Sequence, residues 1–195
     1  MQNEAAEPPH LRSPYTRVIL NGFMGAGKST VGKQLAPLLG WRFVDVDAIL
    51  VERTDMAISD LFTWHGEQHF REMEAALIEE LLTEEEIVIA LGGGAIEDAG
   101  TRTHLAESPA CLIIYLEASL QVSLARCALD SGMEVCSDSG MKSNAAERPV
   151  LQDTALLERR FQLRLPFYQS AHLTIGTAGL APLEIAHQIV NFVRL

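Results

Sequence analysis

The sequence is poor in the features that mark secreted and membrane-bound chains. Three of its 195 residues are cysteine, at positions 111, 127 and 136, and none forms a C-x-x-C pair. No apolar run reaches the ~18 residues that a membrane-spanning helix requires. Residues 1–14 contain acidic residues and prolines but no apolar segment typical of a secretory signal. We therefore expect a cytoplasmic protein whose cysteines stay reduced.

Positive charge is also scarce. Lysine and arginine total 15 against 26 acidic residues, which gives a formal net charge of −11. Nucleic acids and anionic membranes bind basic surfaces, so neither is an expected partner. A small anionic substrate would have to be met by a few arginines placed locally. We expect a monomer that acts on small molecules.

Alternation of strand-like and helical patterns predicts an α/β fold with a parallel sheet covered on both faces. Strand-like runs lie at 18–20, 42–46, 87–91, 111–116 and 172–175. Helices are expected at 28–39, at 67–82, up to about Arg126, at about 153–171 and at 183–195. One domain is expected over residues 16–195, after a disordered tail at 1–15. The polar stretch 130–147 is expected to be a long mobile loop.

The stretch from Gly22 to Thr30 matches G-x-x-x-x-G-K-[ST], the phosphate-binding loop, and lies between a predicted strand and a predicted helix. Its glycines allow backbone N–H groups to surround an anion, and the following helix adds the positive end of its dipole. Lys28 can reach the β- and γ-phosphates, and the Ser29 hydroxyl can ligate Mg²⁺. The GTPase and ABC-transporter motifs are absent from the sequence. A small-molecule kinase or a nucleotide-binding regulator remains.

Two acidic residues follow the second predicted strand. Strand alternation places Asp45 and Asp47 on the same side, at the carboxyl end that faces the ligand in parallel sheets. One carboxylate could hold Mg²⁺, and the other could accept the proton of a substrate hydroxyl. The alternative is that Asp47 merely caps the next helix. Sequence alone leaves these readings equally supported.

Glycines and arginines supply further candidates. Three glycines, Gly92 to Gly94, follow the third predicted strand and are costly unless the backbone approaches another group closely. Arg71 and Glu74 share a helix face, either as a surface ion pair of little value or as a carboxylate-binding arginine held in place. Spacing alone favours the surface pair. Pro166 should bend or interrupt the helix predicted at about 153–171, near Arg164.

The set of motifs, taken in order, resembles the shikimate kinase family over nearly the whole chain after residue 16. The matching strings are GFMGAGKSTVG at 22–32, FVDVD at 43–47, GEQHFREMEA at 66–75, LGGGA at 91–95, RPVL at 148–151 and RLPFY at 164–168. The resemblance implies ATP-dependent phosphorylation of the 3-hydroxyl of shikimate in aromatic amino-acid biosynthesis. It also implies the three-layer fold of phosphate-loop kinases, with a five-stranded parallel sheet in the order 2-3-1-4-5 and a mobile lid at about 127–150.

The resemblance also implies roles for individual residues. The ATP phosphates would be bound by Gly25, Ala26, Gly27, Lys28, Ser29 and Thr30. Ser29 would hold Mg²⁺ and Asp45 would assist through water. The catalytic residues would be Lys28, Asp47 and the lid arginine Arg148, which also meets ATP. Shikimate would be bound by Asp47, Arg71, Gly93, Gly94 and Arg164, with the two arginines on its carboxylate. Arg126 and Pro182 would flank the adenine.

Two departures from the family leave parts of this assignment open. The segment between Arg126 and Arg148 is longer than the lids of the family, which weakens the assignment of Arg148. The turn near Pro182 lacks the charged residue often found there. A kinase for another carboxylated polyol such as gluconate, and a non-catalytic nucleotide-binding protein, are the alternatives.

Overall fold

The computed structural model describes residues 13–131 and 154–194 of the chain. The strands are β1 (Arg17–Asn21), β2 (Arg42–Asp45), β3 (Ile87–Ala90), β4 (Cys111–Glu117) and β5 (Leu173–Gly176). The helices are α1 (Lys28–Leu39), α2 (Val46–Thr54), α3 (Ile58–Leu81), α4 (Ala99–Glu107), α5 (Leu120–Ser131), α6 (Thr154–Gln169) and α7 (Pro182–Val193). A short 3₁₀ helix, Ala95–Glu97, precedes α4. At least one helix thus separates each strand from the next, as the sequence predicts.

The five strands form one parallel sheet in the order β2-β3-β1-β4-β5, which confirms the predicted topology. Strand β1 lies in the middle and pairs with β3 on one side and β4 on the other. Its last residues are level with the end of β3, since Leu20 is opposite Ala90. The loops that follow β1 and β3 therefore leave the sheet side by side, at the edge where parallel sheets bind ligands.

The sheet has a hydrophobic cluster on each face, which confirms the three-layer architecture. Successive residues of β1 alternate between the clusters, so that Ile19 belongs to one and Val18 and Leu20 to the other, all three fully buried. Helices α1 and α7 cover the second face, and α3 contributes to the first. These strands are apolar on both sides because both of their faces are covered.

Side chains define where several helices begin. Asp45, the last residue of β2, caps α2 by accepting the backbone N–H of Ala48 at 3.2 Å. Asp98 caps α4 in the same way, accepting the N–H of Thr101 at 2.6 Å. In α7, the Glu184 carboxylate accepts the N–H of Ala181 at 2.7 Å. Each contact satisfies a helix donor that has no partner within the helix.

Asp47 is not placed as strand alternation predicts. Helix α2 begins at Val46, so Asp47 lies in the first helical turn rather than on the strand. The capping alternative is wrong as well, because Asp45 is the residue whose side chain caps α2. Strand alternation failed here because the strand ends one residue earlier than its apolar run suggests.

Three helix predictions need correction. Helix α3 begins at Ile58, with Gly66 in a non-helical conformation (φ 79°, ψ 163°), and the predicted helix from 67 is the part after this kink. Helix α5 continues past Arg126 to Ser131. Helix α6 runs through Pro166 to Gln169 without interruption, although a proline inside a helix cannot donate its usual hydrogen bond.

Some predictions concern residues outside the described ranges. Residues 1–12 of the predicted tail and residues 132–150 of the predicted lid, with Arg148, lie outside these ranges. Within residues 13–131 and 154–194, no helix combines the length and hydrophobicity that crossing a membrane requires. The tail and the lid stay predictions.

The cap of α4 can be tested through the stability of the protein. Asp98→Ala removes the acceptor of the Thr101 N–H, and we expect the free energy of unfolding to fall by about 0.5–2 kcal/mol. Asp98→Asn is the matched control, since asparagine retains a capping oxygen. We expect its free energy of unfolding at low pH to lie within a few tenths of a kcal/mol of the parent value. Urea denaturation of the three proteins measures both changes, and equal stability of the alanine variant would contradict the capping role.

The same cap predicts a pH dependence. The backbone N–H of Thr101 lowers the pKa of Asp98 in the folded protein. Its charge therefore stabilises the fold fully above the unfolded pKa of about 3.9, and this contribution is lost as the pH falls through the folded pKa. The stability difference between parent and Asp98→Asn should shrink over that acidic range. A difference independent of pH would contradict the assignment.

Candidate active site

The loop between β1 and α1 wraps around its own lysine. Gly25 and Gly27 have left-handed backbone angles (φ 70° and 95°) that other residues rarely adopt. The Lys28 side chain is fully buried, and its Nζ donates to the carbonyl oxygens of Gly22 at 3.0 Å and Phe23 at 3.1 Å. The loop thus has the compact form that brings backbone donors and an ammonium group to one place, as an anion site requires.

Ser29 and Asp45 form an oxygen pair beside this loop. The Ser29 Oγ donates to Asp45 Oδ2 at 2.6 Å, and both residues are buried. Within the described residues, no group of three or more His, Cys, Asp or Glu side chains could hold a metal by itself. Mg²⁺ usually takes only one or two protein oxygens and completes its shell with water and phosphate. The pair therefore fits a magnesium ion that is shared with bound phosphates.

The three glycines after β3 leave room for charged side chains. A β-carbon on Gly92 would overlap Glu74 Oε1 and lie 2.9 Å from Asp47 Oδ1. A β-carbon on Gly94 would overlap Arg71 Nη2 and lie 2.9 Å from Arg164 Nη2. The close approach that the sequence predicts is confirmed. These glycines lack side chains because a carboxylate pair and an arginine pair converge on them.

Arg71 and Glu74 form a buried ion pair rather than the surface pair that spacing favours. The Arg71 Nη1 contacts Glu74 Oε2 at 2.5 Å, and the Glu74 side chain is 2% exposed. Burial raises the pKa of the Glu74 carboxyl, although the nearby Arg71 acts in the opposite direction. If Arg71 moved away, the buried Glu74 carboxylate would be left without compensation, which is costly. Glu74 therefore fixes the position of Arg71. The rings of Phe62 and Phe70 lie against the Arg71 guanidinium.

Arg164 reaches the same place from α6. It is buried, and its Nη2 lies 2.8 Å from Glu97 Oε2. The same Glu97 oxygen lies 3.8 Å from Arg71 Nη2, so one carboxylate contacts both arginines. Arg164 Nε is buried and has no hydrogen-bond partner among the described residues. The two guanidinium groups thus lie together, and each has a carboxylate partner.

Gly93 connects the two halves of the site. A β-carbon on Gly93 would lie 3.5 Å from the backbone nitrogen of Met24 in the phosphate loop. Its carbonyl oxygen accepts the hydroxyl of Tyr168 at 2.5 Å. Tyr168 is fully buried, and burial raises the pKa of its phenol. The Tyr168 hydroxyl therefore stays protonated and fixes the glycine backbone between the loop and the arginines.

Arg126, on α5, contacts both the phosphate loop and the turn after β5. Its guanidinium donates to the hydroxyl and the carbonyl oxygen of Thr177, both at 2.9 Å. It also donates to the carbonyl oxygens of Gly25 and Ala26 at 3.4 Å. Arg126 thus ties the loop to the turn after β5, and Pro182 begins α7 shortly beyond that turn.

Most predicted site residues therefore meet at the carboxyl ends of the strands. The phosphate loop, Asp45, Asp47, the triple glycine, Arg71 and Arg164 lie there, whereas Arg148 lies outside the described residues. Glu97 is the site residue that sequence reasoning missed. It belongs to no motif, and its contact with Arg164 joins residues 67 positions apart.

Comparison with known protein families gives a consistent result. A family model described as shikimate kinase matches residues 24–194. A shikimate kinase of Geobacter sulfurreducens is 41% identical over 180 residues, which cover 91% of this chain and 90% of the relative.

Solved structures agree. A shikimate kinase from Acinetobacter baumannii in complex with shikimate superposes with a TM-score of 0.78 at 32% identity, covering 92% of this chain and 93% of that one. A gluconokinase from Sinorhizobium meliloti is similar with a TM-score of 0.56 at 20% identity, covering 93% of this chain and 95% of that one. At that identity the second likeness concerns the fold alone.

The three glycines after β3, Gly92 to Gly94, predict that neighbouring positions differ in their tolerance of a side chain. Gly92→Ala places a methyl group onto the buried Glu74 carboxylate, and we expect the free energy of unfolding to fall by about 1–3 kcal/mol. Gly93→Ala is the matched control, because its nearest neighbour at 3.5 Å is an ordinary contact. Urea denaturation measures both variants. Equal stability of the two would contradict the packing described for Gly92.

Proposed function

The chain belongs to the shikimate kinase family and catalyses the ATP-dependent phosphorylation of shikimate, and we propose how its residues divide that reaction. The observation that carries this proposal is the convergence on Gly92–Gly94 of two arginines on one side and Asp47 on the other. A carboxylate-bearing substrate held by the arginines would present a hydroxyl towards Asp47 and the phosphate loop.

The loop after β1 binds the ATP phosphates in this proposal. Backbone N–H groups from Gly25 to Thr30 surround the phosphate oxygens, and the dipole of α1 favours their negative charge. Lys28 exchanges its contacts with the loop carbonyls for the β- and γ-phosphates. This charge compensates the negative charge that builds up as the γ-phosphoryl group is transferred.

Asp47 accepts the proton of the 3-hydroxyl of shikimate. The hydroxyl oxygen then bonds to the γ-phosphorus while the bond to the β–γ bridging oxygen breaks, leaving ADP and shikimate 3-phosphate. The position of Asp47 Oδ1 beside Gly92 supports this role. Asp45 is committed to capping α2 and to Ser29, which makes it the weaker candidate for the base.

Arg71 and Arg164 bind the carboxylate of shikimate. Each guanidinium offers paired donors that match a carboxylate, and Glu74 fixes the orientation of Arg71. Gly93 and Gly94 allow the substrate ring to approach the backbone between the arginines and the phosphate loop. The Nε of Arg164, which is buried and has no hydrogen-bond partner among the described residues, supports a site that a ligand completes.

The magnesium site comprises Ser29 and Asp45. When bound, Mg²⁺ supplies positive charge that neutralises the phosphate oxygens. The 2.6 Å contact between these side chains supports the pairing, with Asp45 acting through water. Arg148 is proposed as the lid arginine that meets ATP, and Arg126 and Pro182 as neighbours of the adenine.

The cellular setting is part of the proposal. The net charge of −11 supports a protein without nucleic-acid or membrane partners. We propose that it works in the cytoplasm as a monomer of one domain, with residues 1–15 as a tail.

A coupled assay of ADP release tests the activity directly. Rates with shikimate, with gluconate and without any acceptor separate shikimate kinase, a kinase for another carboxylated polyol, and a protein that only binds nucleotide. We expect turnover of ATP only when shikimate is the acceptor. Comparable turnover with gluconate would overturn the substrate assignment.

Asp47→Asn tests the proposed base. Asparagine retains the size of the side chain but cannot take the hydroxyl proton, so we expect kcat to fall by a factor of about 10²–10⁴. The control is Asp60→Asn, which changes another acidic residue in the first turn of a helix; Asp60 is exposed and is not among the nearest neighbours of Gly92 to Gly94. Steady-state rates with saturating ATP and shikimate measure both. Turnover of Asp47→Asn within a few-fold of the parent would reject Asp47 as the base.

Arg71→Lys and Arg164→Lys test the carboxylate site. Lysine retains the charge but loses the planar pair of donors, so the KM for shikimate should rise by the equivalent of about 1.5–3 kcal/mol while that for ATP stays unchanged. Arg53→Lys is the control, because Arg53 makes a comparable two-donor contact with Glu80 on the exposed surface. If the KM for ATP rises instead, the arginines face the nucleotide.

A further inference from the structure

Glu97 occupies the two arginines that the proposed function assigns to the carboxylate of shikimate. Its Oε2 lies 2.8 Å from Arg164 Nη2 and 3.8 Å from Arg71 Nη2. A protein carboxylate thus already makes the kind of contact that the substrate carboxylate would make. Both ligands cannot take the same guanidinium donor at once.

The two arginines depend on Glu97 to different degrees. Arg71 has a closer carboxylate partner in Glu74, at 2.5 Å, and a further contact with Glu67 at 3.4 Å. For Arg164, Glu97 is the only carboxylate within ion-pair distance among the described residues. Since Arg164 is 5% exposed, its charge would be poorly compensated without that contact.

Glu97 is also placed so that it can withdraw. It ends the short 3₁₀ helix after the triple glycine, and its side chain is 35% exposed. Glu74, by contrast, is 2% exposed and packs against Gly92. One carboxylate is therefore enclosed with its arginine, whereas the other reaches its arginine from the edge of the site and can return to water at small cost.

We propose that Glu97 is an internal competitor for the substrate carboxylate. It neutralises Arg164 while the site is empty and is displaced when shikimate binds, so that it sets the affinity for substrate without taking part in phosphoryl transfer. This inference rests on the proposed role of Arg71 and Arg164. It makes Glu97 a residue that determines affinity and not a catalytic residue.

Glu97→Gln tests the competition, because glutamine retains the shape and removes the charge. We expect the KM and the directly measured Kd for shikimate to fall about two- to fivefold, the scale of a partly exposed ion pair. The kcat and the KM for ATP should not change, since only ground-state competition is removed. A KM for shikimate that stays constant would overturn the inference, and a KM that rises would overturn it by showing that Glu97 orients Arg164.

Glu72→Gln is the matched control. It removes one negative charge next to Arg71 in the sequence, but the exposed Glu72 side chain pairs with His69 and Gln68 and, among the described residues, forms no ion pair with either arginine. We expect its KM for shikimate to equal that of the parent. An equal fall in both variants would reveal a general electrostatic effect and overturn the displacement.

Arg164→Lys distinguishes failure of this inference from failure of the proposed function. If that variant raises the KM for shikimate while Glu97→Gln has no effect, only the competition is rejected. If Arg164→Lys leaves the KM unchanged, the arginine assignment itself is wrong and the inference falls with it. In a protein that already carries Arg164→Lys, Glu97→Gln should lower the KM for shikimate less than it does in the parent. The guanidinium donor for which the two carboxylates compete is then missing.

Discussion

Burial of charge is the constraint on which the site depends. Lys28, Glu74 and Arg164 are each at most 5% exposed, and an ion removed from water is costly unless other groups compensate it. Lys28 is compensated by loop carbonyls, Glu74 by Arg71 and Arg164 by Glu97. The glycines at 92 and 94 follow from these pairings, because any side chain there would displace the charged groups.

The parallel sheet brings the compensating groups together. Asp45 at the end of β2 is opposite Ala90 at the end of β3, and Ala90 is opposite Leu20 near the end of β1. Three loops from distant parts of the sequence therefore start at the same level of the sheet. Helices α3 and α6 then supply one arginine each. A shift in the register of β3 would move the triple glycine away from both arginines, so the site relies on the strands that hold it.

The sequence predicts the parts of the site that depend on local pattern. The phosphate loop, the five strands and the helix after the loop are set by residues close together in the chain, and they appear where periodicity and glycine place them. The strand order follows from the family resemblance and not from periodicity. Asp47 was misplaced by strand alternation because the chain enters α2 one residue earlier, and Pro166 is retained inside α6 despite its local preference.

The parts that failed depend on contacts between distant segments. Spacing favoured a surface pair for Arg71 and Glu74 because burial is not visible from two residues on one helix face. Glu97 was missed for the same reason, since only the packing of α6 against the 3₁₀ helix brings Arg164 to it. Pattern reveals which residue types are available, whereas the tertiary structure decides which of them share a site.

Two anionic substrates must bind a protein of net charge −11. Long-range attraction cannot explain this, and at physiological salt charges are screened over about 8 Å. Short-range contacts in the site must therefore provide the binding energy. Around the triple glycine, Arg71 and Arg164 already have Glu74 and Glu97 as formal counter-charges, so these four side chains have no net positive charge to offer an anion. An incoming carboxylate gains most by replacing one of these partners, and Glu97, the more exposed of the two, is the one that can leave.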